Sequence, residues 1–182
     1  MSENLEAQLI QERSIGLYGN INETSASTII DELSIIMFEE QDLEVPINFY
    51  ISTFGGMTTE MFAIYDYMQL AKEMGFLVKT YGIGKVMSAG VLLISAGSRG
   101  NRMAGKNCRF MLHELSSEFQ SVVSGLDEEI EEIKLAQDQF IKALSDNSLL
   151  TKSKIASYLK KHRSYFFDSR TAKEFGMIDH IF

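Results

Sequence analysis

Residues 77–96 read LVKTYGIGKVMSAGVLLISA and decide the fold class. Segment 77–83 alternates like a β-strand, and segment 88–96 is almost wholly apolar and long enough for a short helix. A helix that is apolar on every side has to be buried. A strand that leads directly into such a helix is typical of proteins in which helices pack on a β-sheet. The stretch therefore predicts a buried strand–turn–helix unit.

The same alternation of strand and helix extends in both directions along the chain. Thr24 or Ser25 is expected to cap the helix at 22–39. The pattern predicts strands at 14–18, 46–52, 109–112 and 177–181, and helices at 4–12, 22–39, 58–74, 126–145, 151–161 and 169–175. We expect an α/β fold with a mainly parallel sheet and surrounding helices. Only one proline and no Gly/Ser linker interrupt the chain, so residues 1–182 are predicted to form a single domain.

Composition and charge exclude several classes of protein. The 182 residues include 17 Lys and Arg against 25 Asp and Glu, for a net charge of −8, which argues against binding to duplex nucleic acid. The longest apolar run, 86–97, is too short to span a bilayer. Cys108 is the single cysteine, and residues 1–12 lack an apolar signal core. We expect a soluble, cytoplasmic protein without disulfides and without a membrane partner.

Metal and nucleotide sites are not expected. The three histidines, at 113, 162 and 180, do not combine with Cys108 in a zinc-like spacing. Gly82 and Gly84 begin a dinucleotide-binding pattern, but Met87 occupies the place of its third glycine. The sequence therefore predicts neither a metal ion nor a cofactor.

Two strand-to-helix junctions are candidates for chemistry. Gly55-Gly56 follows the strand at 46–52 and could aim backbone N–H groups at a developing oxyanion, or could be a simple tight turn. Ser88 begins the buried helix, where free N–H groups stabilise negative charge, or it could be only the N-cap. Ser95 repeats the Ser-Ala-Gly pattern at the far end of the same helix, where the helix dipole disfavours an anion. Ser88 is therefore the preferred serine.

His113 follows the strand at 109–112 and could be a general base or a structural histidine. The residues alone leave two classes open, an α/β enzyme and a subunit of an assembly. Their order carries more information than any one of them. The combined motifs are Tyr50-Ile51-Ser52 with Gly55-Gly56, Ala63-Ile64-Tyr65-Asp66, Gly84-Lys85-Val86-Met87-Ser88-Ala89-Gly90, Ala96-Gly97 with Arg102, Arg109-Phe110-Met111-Leu112-His113 and Ala172-Lys173-Glu174-Phe175-Gly176-Met177-Ile178-Asp179.

This order of motifs resembles the proteolytic subunit of the Clp protease, the ClpP family of serine peptidases. The resemblance implies a crotonase-like fold with a protruding handle helix, here in the segment 114–145. It also implies two stacked heptameric rings, a tetradecamer, to which an AAA+ unfoldase such as ClpX or ClpA delivers unfolded proteins in ATP-dependent proteolysis. No cofactor belongs to this chemistry.

The resemblance also assigns roles to individual residues. Ser88 matches the nucleophile, and His113, which follows it at the family interval of 25 residues, matches the general base. The oxyanion donors would be the N–H groups of Gly55 and Ala89. Residues at positions that match the family's unfoldase-docking pockets are Tyr50, Tyr81 and Ile83.

The sequence departs from the family at the third catalytic position. Ser164, preceded by Arg163, stands where the family has an aspartate, and Asp168 lies four residues further on. Residues 114–121 also differ from the family's Gln-Pro and glycine pattern. Two alternatives to an active serine endopeptidase remain, one from the departure at Ser164 and one from the shared crotonase-like fold. One is a catalytically weak or inactive subunit of a Clp assembly, and the other is a crotonase-type acyl-CoA enzyme, for which we find no clear CoA pocket or catalytic carboxylate.

Overall fold

The computed structural model describes residues 13–40, 42–115, 126–161 and 164–182. The strands are β1 Ser14–Ile21, β2 Ile47–Gly56, β3 Val78–Met87, β4 Arg102–Ala104, β5 Arg109–Leu112, β6 Tyr165–Asp168 and β7 His180–Ile181. The helices are α1 Glu23–Ile35, extended by the π-helical turn Ile36–Glu40, α2 Thr58–Glu73, α3 Ala89–Ser95, α4 Leu126–Asp146, α5 Lys152–Lys161 and α6 Ser169–Glu174. The predicted helix at 4–12 and most of the segment 114–121 lie outside the described residues.

A mainly parallel sheet organises the protein, as the alternation of elements predicts. Its strand order is β1-β2-β3-β4-β7, and every neighbouring pair in this row is parallel. The long strand β3 pairs with β4 through its first half and with β5 through its second half. β6 is the exception, because it runs antiparallel to β5.

Helix α3 lies in the core, as its apolar sequence predicts. All seven of its residues are buried, and its side chains Val91, Leu92, Leu93 and Ile94 have no exposed surface. No helix in the ranges described above combines the length and apolarity needed to cross a membrane. The apolar run 86–97 of the sequence therefore contains the end of the central strand β3 and the core helix α3.

The register between β2 and β3 contains a two-residue irregularity that positions the site. Ile51 pairs with Gly82, but Thr53 pairs with Val86, so β3 holds two extra residues, Ile83 and Gly84. Gly84 has a φ of +68°, which glycine adopts without steric cost. Continued from Thr53 and Val86, the shifted register brings Ser88, at the end of β3, opposite Gly55.

Several elements differ from the sequence prediction. The N-cap of α1 is Asn22, and not Thr24 or Ser25: Asn22 Oδ1 accepts from the backbone N–H of Ser25 at 3.0 Å, while Ser25 Oγ accepts from the N–H of Asn22 at 3.0 Å. This reciprocal pair satisfies two free N–H groups of the first turn.

The strands β4 and β6 were absent from the prediction, and the last strand is shorter than 177–181. β4 has three residues and begins with a charged Arg102, so no hydrophobic alternation marks it. β7 contains only His180 and Ile181, because Met177 and Ile178 are buried in the connection that precedes it. Short strands of this kind are defined by their neighbours in the sheet and not by local pattern.

A partly buried ion pair, in which Arg102 is buried and Asp179 is partly exposed, holds the C-terminal segment to the sheet. The Asp179 carboxylate accepts from Arg102 Nε at 2.9 Å and from Arg102 Nη2 at 2.6 Å, and Arg102 Nη1 also donates to the Asn147 carbonyl at 2.7 Å. Burial opposes ionisation of Asp179, but the hydrogen bonds and charge of Arg102 outweigh it and hold its pKa below the ordinary value.

We predict that Asp179→Asn destabilises the protein by about 3 kcal/mol, because it leaves the Arg102 charge buried without its counter-ion. The measurement is the free energy of unfolding in urea. Because the folded pKa of Asp179 is depressed, its stabilisation is present above pH 3.8, the ordinary Asp pKa, and is lost as the pH falls through the folded pKa. The control is Asp146→Asn, which removes the exposed pair with Lys142 and should leave the unfolding free energy unchanged. Equal effects of the two variants would contradict the prediction.

Candidate active site

Ser88 lies at the junction of β3 and α3 in a strained backbone conformation. Its φ is +54° and its ψ is −124°, a combination that non-glycine residues rarely adopt and that costs about 1–3 kcal/mol. Its backbone N–H donates to the Met111 carbonyl at 2.8 Å, which ties the junction to β5. Its side chain makes no capping hydrogen bond to α3, so the simple N-cap interpretation does not describe it.

His113 meets Ser88 at the end of the neighbouring strand. The distance from His113 Nε2 to Ser88 Oγ is 2.7 Å, a short hydrogen bond in which Ser88 donates when Nε2 carries no proton. Burial lowers the pKa of His113 below its ordinary value of 6.5, so the ring is neutral at pH 7. The pair has the geometry of a hydroxyl nucleophile with its general base.

Gly55 contacts Ser88 from the β2 side. Its φ is +100°, and a Cβ on this residue would lie 2.6 Å from Ser88 Cβ and 3.0 Å from Ser88 Oγ. The Gly55 N–H donates to Thr53 Oγ1 at 2.9 Å, so in this structure it already has an acceptor. Ala89 is the first residue of α3, and its N–H is one of the amides that lack an intrahelical acceptor.

Ser164 directly precedes β6, and Asp168 is the last residue of that strand. The antiparallel register pairs Leu112 with Tyr165 and Arg109 with Asp168 without a bulge, so its continuation places Ser164 opposite His113. Asp168 lies four residues away, roughly 13 Å along the strand. In the described part of the chain, no hydrogen bond reaches His113 Nδ1.

Asp168 has a structural task of its own. Its side chain caps α6 by accepting from the Thr171 N–H at 2.9 Å. This backbone hydrogen bond, with smaller contributions from the charges of Arg109 and Arg170, holds the pKa of Asp168 below its ordinary value. A role beside His113 would therefore require Asp168 to leave its cap and shift the strand.

Two other candidate nucleophiles are buried and occupied. Ser95 has no exposed surface, and its Oγ donates to the Val91 carbonyl at 2.7 Å. Burial raises the pKa of the Cys108 thiol to about 12, which keeps it protonated. Among the residues whose positions are described, no group of His, Cys, Asp and Glu side chains could hold a metal ion.

The three predicted docking residues lie together on β2 and β3. Tyr50 and Tyr81 stack with ring centroids 4.7 Å apart, and Ile83 is 42% exposed. Sequence reasoning missed Phe182, whose ring makes an edge-on contact with the ring of Tyr81, with the two centroids 6.5 Å apart. A lone aromatic at the C-terminus gives no pattern by which it could be placed on this surface.

A family model described as Clp protease matches residues 1–182, the whole chain. This match confirms the resemblance drawn from the order of the motifs. Together with the mostly parallel sheet and its surrounding helices, it identifies the architecture as the ClpP/crotonase-like fold.

We predict that Gly55→Ala lowers the rate of Ser88 modification by a fluorophosphonate by at least about 100-fold, because the added methyl group displaces Ser88 and the N–H groups that are predicted to bind an oxyanion. The matched control is Gly19→Ala. Gly19 has the same φ of +100° but no atom within 4 Å of its Cβ position, so this variant pays a similar backbone strain without a clash. Similar labelling rates in both variants would show that strain, and not the contact with Ser88, governs reactivity.

Proposed function

Because the chain belongs to the Clp protease family, we propose that it is a serine endopeptidase subunit with Ser88 as nucleophile and His113 as general base. The observation that carries the proposal is the 2.7 Å contact between His113 Nε2 and Ser88 Oγ. The strained Ser88 backbone supports it, since such strain is concentrated at functional sites. The lowered pKa of His113 supports it further, because the base has to be unprotonated at neutral pH.

The proposed reaction follows from the positions of these groups. Ser88 Oγ attacks the carbonyl carbon of the scissile peptide while His113 Nε2 takes the hydroxyl proton. The tetrahedral oxyanion accepts from the N–H of Ala89 and from that of Gly55, which exchanges its Thr53 acceptor for the substrate. His113 then returns the proton to the leaving amine, and a water molecule, activated by the same histidine, hydrolyses the acyl-enzyme.

Ser164 is the proposed third member of the site, and it makes the site weaker than one with an aspartate. A serine hydroxyl opposite His113 can accept a hydrogen bond from Nδ1–H, but it supplies no negative charge to stabilise the imidazolium. In serine proteases with a Ser-His-Asp triad, replacing the aspartate by asparagine lowers the rate by about 10⁴-fold. A slow peptidase is therefore proposed, and the alternative is a non-catalytic subunit of the same assembly.

Assembly into heptameric rings, paired as a tetradecamer, is the second part of the proposal. Helix α4 supports it, because Ile130 and Leu135 in its first half are exposed while Phe140 and Leu144 in its second half are buried. A helix whose apolar residues extend beyond the face packed in its own subunit offers a surface to another subunit. The segment 114–145 is accordingly proposed as the handle that joins two rings.

The proposed partners are an AAA+ unfoldase such as ClpX or ClpA and the unfolded proteins that it delivers, in the cytoplasm. The surface of Tyr50, Tyr81 and Ile83, in which both tyrosines are half-buried and Ile83 is exposed, supports docking of an apolar loop from the unfoldase. No nucleic acid, membrane or cofactor enters this proposal. The acyl-CoA alternative has no support in the described residues beyond the shared fold.

The proposed nucleophile is tested by Ser88→Ala. This variant should abolish both fluorophosphonate labelling and the cleavage of short fluorogenic peptides, because it removes the only proposed attacking atom. Ser95→Ala is the control, since it removes a buried hydroxyl bonded to Val91 and should retain labelling. Wild-type protein that assembles but is neither labelled nor active would refute the peptidase and favour the non-catalytic subunit.

The third position is tested by Ser164→Asp, which should raise kcat by about ten-fold or more, because a carboxylate opposite His113 stabilises the imidazolium. Asp168→Asn should leave kcat within about two-fold, because Asp168 caps α6 at the far end of β6. An unchanged kcat in Ser164→Asp with a large loss in Asp168→Asn would assign the carboxylate to Asp168.

Ring assembly is tested by multi-angle light scattering at micromolar concentration. The expected mass is that of fourteen subunits, and Leu135→Lys in α4 should reduce it to seven, because the charge disrupts an apolar contact between rings. Lys142→Glu is an exposed control on the same helix. A wild-type mass of one or two subunits would refute the ring proposal.

A further inference from the structure

A cation–π contact joins the Gly55 turn, which is the Phe54-Gly55-Gly56 end of β2, to β3, the strand that leads into Ser88. Lys85 Nζ lies 4.6 Å from the ring centroid of Phe54. Phe54 immediately precedes Gly55 on β2, and Lys85 precedes Ser88 by three residues on β3. The last register pair between these strands is Thr53 with Val86, so the contact lies at the point where the regular ladder ends.

Other contacts also hold the turn: Gly55 pairs with Asn20 of β1 and packs directly against Ser88. The Gly55 N–H bonds back to Thr53 within β2, and the Met57 N–H donates to the Ile21 carbonyl of β1 at 2.9 Å. These two bonds fix the turn to its own strand and to β1. The Lys85–Phe54 contact also holds the turn to β3, next to the place where Gly55 packs against Ser88.

The position of Phe54 gives this contact a consequence for chemistry. The Gly55 N–H belongs to the peptide plane between Phe54 and Gly55, so the backbone torsion at Phe54 sets the direction in which that N–H points. Phe54 is 60% exposed, and packing against other apolar groups therefore holds its ring only weakly. The ammonium of Lys85 over the ring face adds a restraint on the position of that ring.

We propose that Lys85 and Phe54 form a positioning pair that holds the Phe54–Gly55 peptide plane in register with Ser88, so that the Gly55 N–H, which bonds to Thr53 Oγ1 in this structure, can exchange that acceptor for the oxyanion. The proposal rests on the proposed peptidase function. Neither side chain touches the reacting atoms, and both act through Gly55. An oxyanion donor stabilises the transition state and not the bound substrate, so loss of the pair lowers kcat and leaves KM unchanged.

The test compares Lys85→Met, Phe54→Leu and the double variant in the assembled full-length protein, with a short fluorogenic peptide as substrate. Each single variant should lower kcat by about 3- to 10-fold, with KM within about two-fold. The double variant should lose no more than one single variant, because the contact is already broken. Lys85→Arg and Phe54→Tyr keep a cation over an aromatic ring and should restore kcat to within about two-fold of the wild type.

A second cation–π pair provides the control. Lys154 Nζ lies 5.2 Å from the Tyr158 ring on α5, away from the Gly55 turn, and Lys154→Met should leave kcat unchanged. Three results would overturn the positioning role and leave the peptidase proposal intact. They are losses that multiply in the double variant, a rise in KM without a fall in kcat, and a Lys85→Arg variant as slow as Lys85→Met. Wild-type protein without cleavage or fluorophosphonate labelling would overturn the peptidase proposal, and the positioning role with it.

Discussion

The close approach of Gly55 to Ser88 is the constraint on which the rest of the site depends. A Cβ at residue 55 would lie 2.6 Å from Ser88 Cβ, so only a glycine fits between β2 and the end of β3. The approach exists because β3 carries two extra residues, Ile83 and Gly84, between its pairings with Ile51 and Thr53. Without this irregularity, Ser88 would lie two positions away from Gly55.

The same junction also brings Ser88 to His113. The strained φ of Ser88 turns the chain from β3 into α3, and its N–H is fixed to the Met111 carbonyl of β5. β5 then ends at Leu112, and His113 follows within hydrogen-bond distance of Ser88 Oγ. The strain is maintained by packing, since α3 is buried along its whole length and cannot relax without exposing apolar surface.

Sequence reasoning succeeds where a strong local pattern exists and fails where neighbours define the structure. The apolar run at 88–96 could form only a buried helix, and its bounds agree with α3 to within a residue. The register shift at Gly84 could not be predicted, because glycine at that position fits a turn as well as a bulge. β6 was missed for a related reason: it is a short antiparallel strand whose pairing with β5 is visible only in the assembled sheet. That pairing, continued by one residue, is also what places Ser164 opposite His113. Ser88 and His113 were candidates in the sequence from their positions at a helix start and a strand end, and the family resemblance gave them their expected roles.

A neutral residue at the third position changes which groups have to stabilise the charges that form in the proposed reaction. The proposed reaction creates an imidazolium at His113 and an oxyanion beside Gly55 and Ala89 in the same step. Ser164 is exposed, so water shares the task of stabilising the positive ring, and water does this less well than a fixed carboxylate. The oxyanion side has no such substitute, because Ala89 is buried and Gly55 is packed against Ser88. A site of this kind depends most on the direction of two backbone N–H groups, and the restraint on the Gly55 turn then limits the rate more than it would beside a complete triad.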